Sequence, residues 1–223
     1  MLKLSEFTLD VLKNFAAINP NLVVKEGSTF STIAEAKNIM ATVTIPESFD
    51  RGFGIYDLNE FISALSLLGD PTIVLEDESA VLSKDAMTLK YRFANPSVLT
   101  TPQKEIKMPQ AELTIVVSEN LLSQIRRASG VLGHSVVALK GDASGALNLV
   151  VLDPKDPSAN SLSIKLSETH GLCKEFSLEF LIDNLKFLPG EYKVEISSKL
   201  ISKWSHQSYK LEYFVALEKT STI

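Results

Sequence analysis

Few residues of this sequence are of the types that carry out chemistry, and their spacing does not gather them. The histidines, His134, His170 and His206, are scattered, and Cys173 is the sole cysteine. Structural and catalytic metal sites need three or four such ligands brought together, so no metal site is expected. The run Gly141-Asp142-Ala143-Ser144-Gly145 has the glycines of a phosphate loop but no Lys-Ser/Thr after it. It lies between two β-like runs and reads as a hairpin turn. No Gly-x-Ser-x-Gly elbow occurs. Asp and Glu number 27, yet no cluster singles out an acid–base pair. No catalytic residue and no cofactor is assigned, although catalytic groups meet in space and not in sequence, so an enzyme with a concealed site is one rival reading.

The remaining chemistry is charge. Lys13, Arg126, Arg127 and Lys186 lie eight or nine places beyond residues suited to cap a helix. At ~100° per residue they project away from the apolar stripe of each segment. Two uses fit. They can meet an anionic partner, or they can complement the helix macrodipole, as Glu6, Glu60, Glu119 and Glu179 do near the starts.

The segments that would position them recur through the chain, beginning at Ser5, Asp57, Ser118 and Ser177. Each opener can accept a hydrogen bond from a free N–H of the first turn. Leu9, Phe61, Leu122 and Leu181 follow four places on, then Leu12, Leu65, Ile125 and Leu185. This spacing predicts four helices, at about 5–17, 57–68, 118–129 and 178–188. Runs of β character lie between them. The alternation Ile39, Ala41, Val43, Ile45 has the period of a half-buried strand. Pro189-Gly190 should stop the last helix. A copied helix-plus-strands unit raises the prospect of a closed symmetric assembly.

Residues 94–110 hold Pro96, Pro102 and Pro109 with little periodicity and read as a connector. The expected organisation is an N-terminal domain over 1–94, a connector over 95–110 and a C-terminal domain over 111–223. Helices segregate from hairpin-linked strands, so the fold class is α+β with antiparallel sheets. At 223 residues and 45% hydrophobic content the chain can bury a substantial core. No apolar run approaches the ~18–20 residues of a membrane span. The start, MLKLSEFTLD, lacks the apolar core of a signal peptide. A single cysteine allows no intrachain disulfide and fits a cytosolic setting. The formal net charge of −5 argues against broad nucleic-acid binding, so any such role must use local placement of charge.

Several runs carry a resemblance. Leu12-Lys13-Asn14-Phe15-Ala16-Ala17-Ile18-Asn19, Ile55-Tyr56-Asp57-Leu58-Asn59, Leu65-Ser66-Leu67, Pro189-Gly190-Glu191-Tyr192-Lys193 and Val215-Ala216-Leu217-Glu218 resemble the sliding clamps of T-even-type bacteriophages. Those are similar in fold to proliferating cell nuclear antigen. Length and element order agree from end to end. The resemblance implies a DNA clamp fold: two similar domains, each with two helices against antiparallel sheets, closing into a homotrimeric ring with twelve helices around duplex DNA. It implies a processivity factor of viral DNA replication, acting in the cytoplasm of an infected bacterium. Its partners would be duplex DNA without sequence preference, the replicative DNA polymerase, an ATP-dependent clamp loader and, as further candidates, viral transcription factors. No cofactor and no membrane are implied. Lys13, Arg126, Arg127 and Lys186 would face DNA, and Arg126→Ala with Arg127→Ala should lower processivity without unfolding the chain. The second helical segment holds no Lys or Arg, so the lining would be only weakly positive.

The resemblance also implies a groove for a partner's apolar peptide, under the connector. Ile39, Met40, Val98, Leu99, Phe214, Ala216 and Leu217 are its candidates, the competing reading being that all seven are ordinary core or loop anchors, which for Phe214 and Leu217 in a β-run is about as good. Val98 and Leu99, in the proline-containing connector, are expected to be exposed. Subunit contacts are placed by analogy at Met87–Phe93 on one chain and Ser161–Leu166 on the next, head to tail. The other rival reading, a β-rich structural protein of the virion, shares the turns and the acidic charge but not the repeated capped helices.

Overall fold

The computed structural model describes residues 2–167, 172 and 174–222. These divide into two compact units, one of Met1–Glu105 with Tyr209–Glu212, the other of Ile106–Ser208 with Tyr213–Ile223.

The first unit opens with α1 (Glu6–Ala16), capped by the Ser5 hydroxyl, which accepts from the Thr8 N–H at 3.3 Å. Strands β1 (Leu22–Val24), β2 (Gly27–Ile33), β3 (Ile39–Phe49) and β4 (Phe53–Ile55) follow. β1 pairs with β4 and β2 with β3, both antiparallel. Helix α2 (Leu58–Leu68) starts at Asp57, whose carboxylate accepts from Asn59 and Glu60 N–H at 2.9 and 3.2 Å. It ends at Gly69, whose φ of +61° is the left-handed turn that glycine adopts at least cost. A meander of β5 (Thr72–Leu75), β6 (Ser79–Lys84) and β7 (Met87–Arg92) completes the unit. The helices pack side by side, burying Val11, Leu12, Phe15, Leu58, Phe61 and Leu65. Phe30, Phe49, Phe53 and Phe93 stack in sequence at 5.6, 5.6 and 4.4 Å between centroids.

The second unit begins with β8 (Leu113–Val117) and α3 (Glu119–Leu132), capped by Ser118 and closed by Gly133 at φ +71°. Strands β9 (Val136–Gly141), β10 (Leu147–Leu152), β11 (Leu162–Ser167) and β12 (Phe176–Leu181) form one sheet in the order β11-β10-β9-β12. The Gly141–Gly145 run is the β9–β10 turn, where the Asp142 carboxylate accepts from Ser144 and Ala146 N–H at 2.9 and 3.0 Å. Strands β13 (Tyr192–Ser197), β14 (Ile201–His206) and β15 (Leu211–Ala216) pair in the order β15-β14-β13-β8.

The fourth expected helix is absent. Residues 176–181 form β12 instead, paired along Val136–Gly141 of β9. Only a short 3-10 turn, Ile182–Leu185, follows, and its cap position, Leu181, has no side-chain acceptor. The run Phe176-Ser177-Leu178-Glu179-Phe180-Leu181 satisfies a period of two as well as the helical spacing. Burial of Phe176, Leu178 and Phe180 on the sheet face decides between them. What is left before Pro189 is too short for a stable helix.

Edges differ within the sheets. β5 is joined on its outer side by Leu2, which exchanges two backbone hydrogen bonds with Ile73 at 3.0 and 2.7 Å. β12 is joined by Thr222, which exchanges two with Ser177 at 2.9 and 2.8 Å. At the opposite edges, β7 has only β6 and β11 only β10 as strand neighbours among the described residues.

Candidate functional site

The four candidate cations stand in different local settings. Lys13 is in the last turn of α1, exposed, with its ammonium 3.0 Å from Asp10. Lys186 is exposed just past the 3-10 turn, 3.5 Å from Asp183, and so occupies no helical face. An exposed pair of this kind contributes ~0–1 kcal/mol, so either lysine can exchange its carboxylate for a phosphate at little cost. Arg127 is exposed on α3 and has no hydrogen bond or ion pair among the described residues.

Arg126, though on the same helix, is used differently. Its guanidinium donates to the carbonyls of Leu185 at 2.5 Å and Phe187 at 3.4 Å. The Leu185 carbonyl also accepts from the Phe187 N–H at 2.9 Å, so Arg126 ties α3 to the chain at and just past the end of the 3-10 turn. Arg126→Ala would remove both bonds, so the double variant Arg126→Ala with Arg127→Ala probes folding of the second unit as well as contact with DNA. On α2, residues Asn59, Glu60, Ser63, Ser66 and Leu67 are exposed, so that helix presents no cation.

The seven docking candidates also separate. Val98 is 68% exposed in the 3-10 turn Pro96–Val98. Leu99 is buried, which corrects the expectation of exposure. The cause is Gly54: a Cβ there would lie 2.7 Å from Leu99 Cδ1 and 2.6 Å from the Ala94 carbonyl oxygen. The missing side chain admits both Leu99 and the backbone at Ala94. In the first unit, Ile39 and Met40 are buried at the start of β3. In the second, Phe214 and Leu217 are buried and Ala216 half-buried, at and just after the end of β15.

The remaining titratable groups do structural work. His206 Nε2 lies 3.1 Å from the Pro189 carbonyl and its Nδ1 accepts from the Ser208 N–H at 2.9 Å. His134 Nε2 lies 2.7 Å from the Asn160 carbonyl. His170 and Cys173, three residues apart, lie outside the described residues. Among the described residues no group of His, Cys, Asp and Glu could hold a metal ion. Burial first, with help from Glu60 and Asp57, pushes the Tyr91 phenol up to about 12. Burial likewise raises Tyr192 and Tyr213. Tyr192 donates to the Leu188 carbonyl at 2.7 Å, and Tyr213 accepts from the Leu188 N–H at 3.2 Å. The pocket beside α1 and α2 is lined mainly by Leu4, Leu9, Ile62, Leu65 and Ile73, with Lys13 and Asp70 as its charged residues. No described helix is long and apolar enough to cross a membrane.

Sequence reasoning read Asn19-Pro20-Asn21 only as a turn. The structure makes both asparagines hubs. Asn19 is buried and its amide donates to the carbonyls of Ile33 at 2.8 Å and Thr100 at 3.2 Å. Asn21 donates to the Tyr56 carbonyl at 2.6 Å and accepts from the Thr100 N–H at 3.3 Å. The legible signal was two amide side chains flanking a proline; their partners are distant in sequence.

Known proteins resemble this chain along its whole length. A profile described as DNA polymerase processivity factor matches residues 3–100. The sliding clamp of Vibrio phage KVP40 is 32% identical, over 97% of this chain and 99% of its own. That of Enterobacteria phage T4 is 30% identical over 99% of each. Among solved structures, proliferating cellular nuclear antigen from Entamoeba histolytica superposes with a TM-score of 0.71 at 13% identity, covering 97% of both chains. The DNA polymerase III β-subunit sliding clamp of Bartonella birtlesii gives 0.72 at 16% identity, covering 98% of this chain and 65% of that one. The antiparallel α+β fold is thus that of DNA clamps, and the virion-protein alternative finds no support. The chain belongs to the sliding clamp family, and it is a processivity factor for DNA polymerase in phage DNA replication.

Proposed function

We propose that three copies close head to tail into a ring around duplex DNA, and that the ring tethers the replicative polymerase by enclosure without a catalytic step. The observation that carries this is the pairing of edges. In each of two sheets one edge is taken by a segment of the chain itself, and the other, β7 or β11, is open among the described residues. An open strand edge is a template for another chain. Pairing β7 of one copy with β11 of the next satisfies both and repeats heterologously until it closes. Light scattering tests it. A mass of about three times 24.5 kDa is expected at high concentration, with dissociation on dilution. Ile164→Asp on β11 should shift the equilibrium to monomer. A monomer at all concentrations for the unaltered chain, or an undisturbed trimer for Ile164→Asp, would count against the ring.

In this reading each copy lines the hole with α1, α2, α3 and the turn at 182–185. Lys13, Arg127, Lys186 and the exposed part of Arg126 approach the phosphates. An ATP-driven loader opens the ring, which itself holds no nucleotide, and the assembly works in the cytoplasm of the infected host, where viral transcription factors are further partners. The apolar C-terminal peptide of the polymerase docks at the connector, beside exposed Val98. A solved structure of similar fold supports this by analogy: A. fulgidus PCNA, 16% identical with a TM-score of 0.69, was determined with the C-terminal region of FEN-1 bound. Since Leu99 is core, Val98→Asp is the informative variant. It should weaken peptide binding at least fivefold by calorimetry without moving the unfolding midpoint.

A further inference from the structure

We infer that Asn19 and Asn21 form a latch that fixes one end of the connector, so that they act as positioning residues for the partner docking proposed at that connector. The inference rests on that docking reading. The connector is not uniform. Residues 96–100 are tied to the first unit: Pro96–Val98 is a 3-10 turn, the Asn95 side chain accepts from the Ser97 N–H at 3.0 Å, and Leu99 is buried against Gly54. Thr100 is held by both of its backbone groups, its N–H donating to Asn21 at 3.3 Å and its carbonyl accepting from Asn19 at 3.2 Å. From 101 to 112 there is neither helix nor strand. Pro102 and Pro109 offer no N–H.

The latch is rigidly mounted. Asn19 also holds the Ile33 carbonyl, where β2 ends, and its side-chain Oδ1 accepts from the Asn21 N–H at 2.8 Å. Asn21 reaches the Tyr56 carbonyl at the entry to α2, and the Pro20 carbonyl accepts from the Leu58 N–H at 2.8 Å. The turn after α1 therefore couples the end of β2, the start of α2 and Thr100. The latch ends at Thr100, and Val98 is presented from the held side. A fixed presentation lowers the ordering cost of docking, so losing the latch weakens binding even though no contact with the peptide is removed.

Amide exchange read by mass spectrometry, with calorimetry, tests this on the full chain. The variants are Asn21→Ala and Asn21→Asp, the latter retaining an acceptor for the Thr100 N–H. The probe is a synthetic peptide of the cognate polymerase's C-terminal residues. Asn21→Ala should speed exchange at Thr100 at least fivefold and weaken the peptide threefold to tenfold, with exchange in β5–β7 unchanged. Asn21→Asp keeps the acceptor for Thr100 but loses the donor to the Tyr56 carbonyl, so it should restore part of the protection at Thr100 and part of the affinity. Unchanged exchange at Thr100 in Asn21→Ala overturns the latch. Faster exchange with undiminished peptide affinity overturns the positioning role. A wild-type chain that does not bind the peptide at all, while Thr100 still responds, overturns the docking reading and the positioning role with it, and leaves the latch as a structural device.

Discussion

Arg126 and Arg127 are adjacent, equally cationic and on one helix, yet they have separate duties. Arg126 donates to two end carbonyls. Hydrogen bonds to charged groups contribute ~1.5–3 kcal/mol, so Arg126→Ala should lower the unfolding midpoint by several degrees. Arg127 is solvated and without a partner among the described residues, so Arg127→Ala should change stability by less than ~0.5 kcal/mol. On DNA the order reverses. Arg127→Ala should shorten the products of primed synthesis as salt is raised, and undiminished product length would remove it from the DNA-facing set. Glu47 allows a pH test. Burial opposes its ionisation, but the Thr8 hydroxyl at 2.5 Å and the Ser5 N–H outweigh that and hold its carboxyl below the ordinary 4.5. A depressed folded-state value means that the stabilisation is present above 4.5 and is lost as pH falls below it. Glu47→Gln should therefore melt lower than wild type at pH 7, and the gap should close in acid. A gap that persists in acid strong enough to protonate the folded-state carboxyl would mean that Glu47 acts through packing and not through charge.

At the scale of elements, the sequence made three helices readable because each has an independent start signal. Ser5, Asp57 and Ser118 accept from the first-turn N–H groups as their residue types suggest. Ser177 has the same type and the same downstream leucines, but it lies in β12 opposite Lys140. Local pattern could not settle this, because the competing contact is with β9, more than thirty residues away. The settings of Arg126 and Leu99 were illegible for the same reason. Their partners are Leu185 and Gly54, chosen by tertiary structure. The exposed placement of Lys13 and Arg127, in contrast, follows from helical phase alone. A prediction separates the two explanations for the lost helix. If Pro189 were the cause, Pro189→Ala would raise helical content. Since β12 already claims 176–181, that variant should leave the far-ultraviolet circular dichroism unchanged. A clear gain in helix would show that the proline, not strand pairing, holds the segment open.

For the whole molecule, the charge pattern bears on how DNA is held. The chain carries a net −5, α2 presents no cation, and both candidate lysines already have carboxylate neighbours. A surface of this kind cannot grip phosphates as a binding protein does. Neutralising a phosphate releases counterions, and each contact adds ~0.9 to the salt slope of affinity. With few committed cations the slope should be shallow and direct binding weak. In the ring proposed above, retention would come from closure of the β7–β11 contacts. The test compares loaded protein on nicked circular DNA with the same DNA cut once. On the circle, residence should outlast moderate salt and end only as the ring opens. After the cut, protein should leave within the time needed to slide to an end, and blocking both ends should restore it. Equal loss from circular and cut DNA, with a steep salt slope, would mean that the cations hold the DNA and that enclosure does not.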